Sequence, residues 1–171
     1  MIKRLLTLLA AISLIAFCSV RGCACIQFDK NCAGHLKLAA DANTVERARS
    51  ELDIALKYLE NHRLTNEHTS IFYTTPDEDL SFWYGNLTDS REELAKISPE
   101  TSQLERTNVL MKLRETILDD KGEHGTEVTA PAGIEIYPNN ARFWWWGMVS
   151  GFLLLLFGGW WFLVSVGEIS E

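Results

Sequence analysis

The sequence predicts a mainly α protein. It is an exported bundle of about three long helices with a short juxtamembrane β-hairpin, set between an N-terminal signal or anchor helix and a C-terminal transmembrane helix. Three observations predict it. Charge is unevenly spread: residues 1–25 carry Lys3, Arg4 and Arg21 with no acid, and residues 143–171 carry only Glu168 and Glu171. Residues 26–142 hold 13 bases against 21 acids, a local balance of −8. Second, Phe143 to Gly167 is a run of 25 uncharged, mostly apolar residues. Third, the polar middle carries apolar stripes at alternating three- and four-residue steps, the mark of packed helices. A net charge of −7 and a mean hydropathy near zero are therefore sums over unlike pieces. The chain divides into 1–22, 23–125, 126–142, 143–167 and a short tail 168–171.

At the N-terminus, Lys3-Arg4 precedes sixteen uncharged residues, Leu5 to Val20. A basic start and a short apolar run have the form of a secretory signal, and a span of ~17 residues also suffices to cross a bilayer. Three outcomes stand open: cleavage, retention as an anchor, or lipoprotein processing. The last rests on Val20-Arg21-Gly22-Cys23, which resembles the lipobox of bacterial lipoproteins and implies acylation at Cys23, with Arg21 as its departure from that pattern. All three export the polar middle. At the other end, the 25-residue run makes ~37 Å of helix, more than a core helix needs. Trp144–Trp146 and Trp160–Trp161 form two indole bands that suit the two headgroup regions. Lys3 and Arg4 favour a cytoplasmic N-terminus, so 23–142 is expected outside the cytoplasm and the tail inside. This layout resembles, in plan and not in motif, the small two-helix envelope proteins of bacteria, which implies an inner (plasma) membrane and contact with membrane lipid. Within the C-terminal span, Gly147 and Gly151 are one turn apart. That spacing lets another helix approach closely, either a second copy or the N-terminal anchor.

In the middle, Leu38, Ala42, Val45, Ala48, Leu52, Ala55 and Leu59 define a first helix from about Cys32 to His62. A capping box at Asn43-Thr-Val-Glu46 divides it in two. A loop, about 64–74, leads to Thr75-Pro76-Asp77-Glu78, an N-cap with Pro and acids after it. The second helix then carries Leu80, Trp83, Leu87, Leu94 and Ile97, until Ser98-Pro99-Glu100 ends it and begins a third that runs to about Asp120. This third helix is apolar on two sides, with Leu104, Met111 and Leu118 opposite Leu110, Leu113 and Ile117. It is thus either the central helix or a contact to another subunit. Thr126–Thr129 and Ile134–Tyr137 alternate with period two about a turn and predict the hairpin.

Candidate chemistry is sparse. Cys25 and Cys32 are a candidate disulfide in an oxidising compartment. Cys32 with His35, and His62 with His68, are weak metal-ligand candidates, since no spacing matches a zinc motif. No cofactor motif occurs, neither a phosphate loop nor a dinucleotide fingerprint. Phe82-Trp83-Tyr84 cannot all face one core when each helical step turns ~100°. Phe72, Tyr73, Phe82 and Tyr84 are therefore a candidate partner or ligand surface. The acidic balance argues against nucleic acid. The function expected is a non-enzymatic, membrane-anchored interaction or scaffold protein with a protein partner or a second copy. An extracytoplasmic sensor or ligand-binding module is the alternative, and a metal-dependent enzyme the third reading.

Overall fold

The computed structural model describes residues 2–120 and 125–169. In chain order the elements are α1 (Ile2–Phe28), a π-helical turn (Asp29–Ala33), α2 (Gly34–Ala40) and α3 (Val45–Asn61). A 3-10 turn (Pro76–Glu78), α4 (Leu80–Lys96) and α5 (Gln103–Ile117) succeed them. Then come β1 (Leu118–Asp120), β2 (Thr126–Val128), a second 3-10 turn (Ile134–Ile136) and α6 (Asn140–Ile169). The protein is mainly helical, with one small antiparallel sheet. It divides into two compact units, residues 1–25 with 139–171, and residues 26–138.

In the first unit, α1 and α6 are each long and apolar enough to cross a membrane. They lie antiparallel, because positions that rise along α1 meet positions that fall along α6: Thr7 approaches Gly158, Ser13 meets Ser150 and Phe17 meets Gly147. The seam is polar at its centre. Ser13 Oγ and Ser150 Oγ are 2.8 Å apart, and Trp146 Nε1 donates to Ser13 Oγ at 3.0 Å. Ser150 and Ala10 are buried here, while Leu8, Ile12, Ile15, Phe152 and Leu155 point outward. Phe17 fills the space that a side chain at Gly147 would take, since a Cβ there would lie 2.9 Å from Phe17 Cζ. The same ring meets Trp146 edge-on at 5.7 Å. Among the described residues nothing comes within 4 Å of a Cβ placed at Gly151, so of the two paired glycines Gly147 is the one seen to receive a neighbour.

The second unit is built around α3, whose Val45, Ala48, Leu52, Ala55, Leu56 and Leu59 are all buried. Leu36 of α2, Leu80, Leu87 and Leu94 of α4, and Leu113 and Ile117 of α5 complete the core. The sequence stripe holds within each helix and fails across the break at Asp41–Thr44, where the helical phase restarts. Leu38 is consequently exposed, and Leu36 and Ala39 are buried instead. At the π turn, Gly34 N–H bonds to Asp29 O, and a Cβ on Gly34 would lie 2.8 Å from that oxygen.

Helix starts fall later than the sequence signals suggest, because other side chains take the first free N–H groups. Thr44, not Asn43, caps α3 by accepting from Arg47 N. Thr75 donates its hydroxyl to Glu78, so its Pro-containing turn stays a single 3-10 turn, and Asp79 caps α4. Ser102 caps α5, in place of Ser98. The third helix is not central: α5 buries Leu113 and Ile117 and leaves Leu104 and Met111 outside. It ends at Ile117, and Leu118–Asp120 is a strand. The hairpin forms with a different partner, since Thr126–Val128 pairs with Leu118–Asp120 and not with Ile134–Tyr137. Gly133, at φ 76°, turns the chain into the second 3-10 turn, which buries Ile134 and Ile136 without a ladder. Trp83 fastens this region by donating from Nε1 to Thr129 O at 2.5 Å.

Candidate functional site

The aromatic residues singled out in the sequence divide between two places. The first is a loop with a closed base. Thr69 N–H bonds to Glu78 O at 3.1 Å, Leu80 N–H bonds to Glu67 O at 3.0 Å, and His68 and Asp79 form an antiparallel bridge. Glu78 ties the loop internally, accepting from Ser70 Oγ at 2.8 Å and Thr75 Oγ1 at 2.7 Å. Asp79 accepts from Ser81 Oγ and from the N–H groups of Ser81 and Phe82. The Ser81 hydroxyl, then the Phe82 N–H, hold its carboxyl below the usual range. Beyond this base stand Phe72 and Tyr73, 68% and 77% exposed, and Phe82 on the first turn of α4, 65% exposed. Trp83, between Phe82 and Tyr84, belongs to the core.

Tyr84 lies elsewhere. It is half-buried and donates to Glu60 Oε1 at 2.9 Å, and burial, then that carboxylate, raises its phenol. It lines a groove of ≈ 770 Å³ with Glu60, His62, Arg63, Glu67 and Tyr137. Tyr137 donates to Glu67 Oε2 at 2.5 Å, and this bond to a carboxylate pushes its phenol up to about 12. Arg63 and Glu67 both adopt left-handed backbone, φ 57° and 73°. Side chains other than glycine adopt that conformation at a cost that surrounding structure must offset. Both carboxylates thus accept from a tyrosine, and His62 is stacked on Tyr58 with Nδ1 bonded to Tyr58 O at 2.9 Å. The sequence offers no sign of this groove. Glu67 and Tyr137 are 70 positions apart, and an arginine in left-handed backbone leaves no local pattern.

The other expected sites do not assemble. The four cysteines are thiols, with Cys18 and Cys23 exposed, Cys25 half-buried and Cys32 buried. Cys25 and Cys32 are separated by seven residues of helical backbone, ~10 Å of rise at ~1.5 Å per residue, whereas a disulfide needs Cα atoms within ~7 Å. Cys23 lies within α1, on its exposed side. His35 Nδ1 pairs with Glu51 Oε2 at 2.7 Å and bridges α2 to α3. His35, His62 and His68 each have local roles, and among the described residues no three His, Cys, Asp or Glu side chains converge.

A second apolar surface lies on α5, which exposes Leu104 (72%) and Met111 (56%) seven residues apart on one row. Met111 borders another groove, of ≈ 510 Å³, between α5 and the turn Asp41–Thr44, where Arg114 Nη1 lies 3.5 Å from Asp41 Oδ1. Comparison of the chain with protein-family models, with curated proteins and with solved structures finds no match. Function must therefore be read from these surfaces.

Proposed function

We propose that the chain is a non-enzymatic, membrane-anchored interaction or scaffold protein of a bacterial inner membrane. Its helical bundle stands outside the cytoplasm and presents α5 to a protein partner or a second copy. The observation that carries this reading is the uncovered row Leu104–Met111 on a helix whose other side is packed, a patch with a groove beside it. The anchoring is supported by the Ser13–Ser150–Trp146 seam. It gives α1 a specific place against α6, which favours retention of the N-terminal helix as an anchor over cleavage, or over lipoprotein processing that would cut the chain before Cys23. In an antiparallel pair the end of α1 and the start of α6 lie at the same end. Both connections to residues 26–138 then leave on one side, and Lys3 and Arg4 favour the cytoplasm for the other. The test is a photo-crosslinking residue at Met111 in cells. One recurring adduct, absent when the probe is at exposed Glu105, is expected; equal labelling from both positions contradicts the reading.

The groove of Tyr84 and Tyr137 favours a second reading, an extracytoplasmic ligand-binding module. Two left-handed residues and two tyrosine–carboxylate bonds converge on it, and strained backbone of this kind concentrates at binding sites. A small-metabolite screen should then raise the melting temperature of the protein, with the rise abolished by Tyr137→Phe. A flat screen removes this reading and leaves the first in place.

A further inference from the structure

The loop that carries Phe72 and Tyr73 differs from the rest of the polar segment in charge. Residues 26–142 contain 34 charged side chains in 117, yet Thr69 to Pro76 has none, and no Lys or Arg occurs between Arg63 and Arg91. Ile71, Phe72 and Tyr73 in the loop, and Phe82 three residues past its base at Asp79, all present apolar surface. Two of the acids at its base are turned to internal use, since Glu78 accepts from Ser70 and Thr75 and Asp79 caps α4, while Asp77 stays exposed just behind Pro76. The loop is also held in shape by the 68–79 bridge and those hydroxyl bonds, so a surface that receives it does not have to order it first.

We propose that this loop, with Phe82, docks on the neutral lipid surface of the bilayer that holds the chain. Aromatic side chains prefer the headgroup region, where a ring is half immersed and a phenol keeps a polar partner, and Phe72 and Tyr73 supply that pair. An uncharged tip enters without the cost of carrying an ionised group into a region of low dielectric. The loop's own sequence sets the class of lipid. Attraction to anionic headgroups works through Lys and Arg, and residues 64–90 contain neither, so this contact is with zwitterionic phospholipid and is insensitive to salt. Chain attachment to the same bilayer keeps the loop at high effective concentration, so a few side chains suffice. The inference rests on the membrane-anchored reading of the chain.

The experiment uses the full chain in phosphatidylcholine nanodiscs containing spin-labelled lipid, with 4-fluorophenylalanine placed in turn at positions 72, 104 and 155. A headgroup label is expected to broaden the fluorine signal at 72 several-fold more than at 104. Replacing a third of the lipid by phosphatidylglycerol, or raising the salt, should leave that ratio unchanged, and Phe82→Ser should reduce it. A signal at 72 as sharp as that at 104 overturns the proposal. So does a signal that broadens only with anionic lipid, or one protected only by a crosslinked protein in native membranes. Position 155, which points outward from α6, reports the anchoring itself through a mid-chain label. Broadening at 155 without broadening at 72 rejects the docking alone, and its absence at 155 rejects the anchored reading.

Discussion

Ser13 is the hub of the α1–α6 seam, and its removal should cost more than removal of either partner. Its hydroxyl has one hydrogen to give and two lone pairs to accept with. One lone pair takes the Trp146 N–H at 3.0 Å, and Ser150 Oγ lies at 2.8 Å as donor or acceptor. Hydrogen bonds between membrane helices average about 0.6 kcal/mol each and reach about 1.7. Ser150→Ala and Trp146→Phe each delete one, so each should cost about 0.6 kcal/mol. Ser13→Ala deletes both and should cost about 1.2 kcal/mol. The double variant Ser13→Ala/Ser150→Ala should then be no worse than Ser13→Ala alone, because their shared bond is already gone; the cycle should show a coupling of about 0.6 kcal/mol. The assay is reversible unfolding of the full chain in micelles of rising SDS fraction, monitored by tryptophan fluorescence, which the other tryptophans still report in Trp146→Phe. Equal costs for Ser13→Ala and Ser150→Ala, or additive costs in the double variant, would refute the shared-hydroxyl arrangement.

Four further outcomes concern residues 26–138. Leu52→Ala, at the centre of α3 and fully buried, should destabilise by about 2–5 kcal/mol in a denaturant titration. Leu104→Ala, on the open row of α5, should stay within about 0.5 kcal/mol of the parent. Gly34→Ala should cost about 1–3 kcal/mol by the same measurement, since the new Cβ meets backbone oxygen and not a side-chain tip that can swing away. Asp79 has a carboxyl held lower in the folded than in the unfolded chain. Its contribution is present above the unfolded value and lost as pH falls through the folded one. Asp79→Asn, which caps a helix comparably, should therefore flatten the acid-side fall in melting temperature. An unchanged pH profile in that variant would show that the cap does not carry the charge effect.

Much of this architecture is legible in the chain, and the losses have physical causes. The two apolar ends, the buried positions of α3 and α4 and the place where α4 stops all follow from composition and period. Sequence signals set the element starts a few residues early because Asn43, Thr75 and Ser98 are good caps in isolation, whereas Thr44, Asp79 and Ser102 lie nearer the helices that form. Carrying one stripe through a break puts Leu38 inside, although the phase is lost there and the residue is exposed. The strand partner of Thr126–Val128 is hidden because Leu118 continues the seven-residue row of α5, and a period-two pattern as short as three residues cannot outweigh it. In the site, exposure of Phe82 is expected from three neighbouring aromatics on one helix, and Phe72 and Tyr73 sit in a loop between helices. The bond from Tyr84 to Glu60 and the whole Tyr137–Glu67 groove depend on long-range packing, which local sequence does not encode.

Retention of α1 beside α6 is the claim on which the membrane-anchored account depends, and the intact mass of the mature protein tests it most directly. A mass of 19.4 kDa, that of the whole chain, is the predicted result. A mass short of residues 1–22, with or without acyl groups on Cys23, would remove Ser13 and Phe17 from the seam and contradict the account.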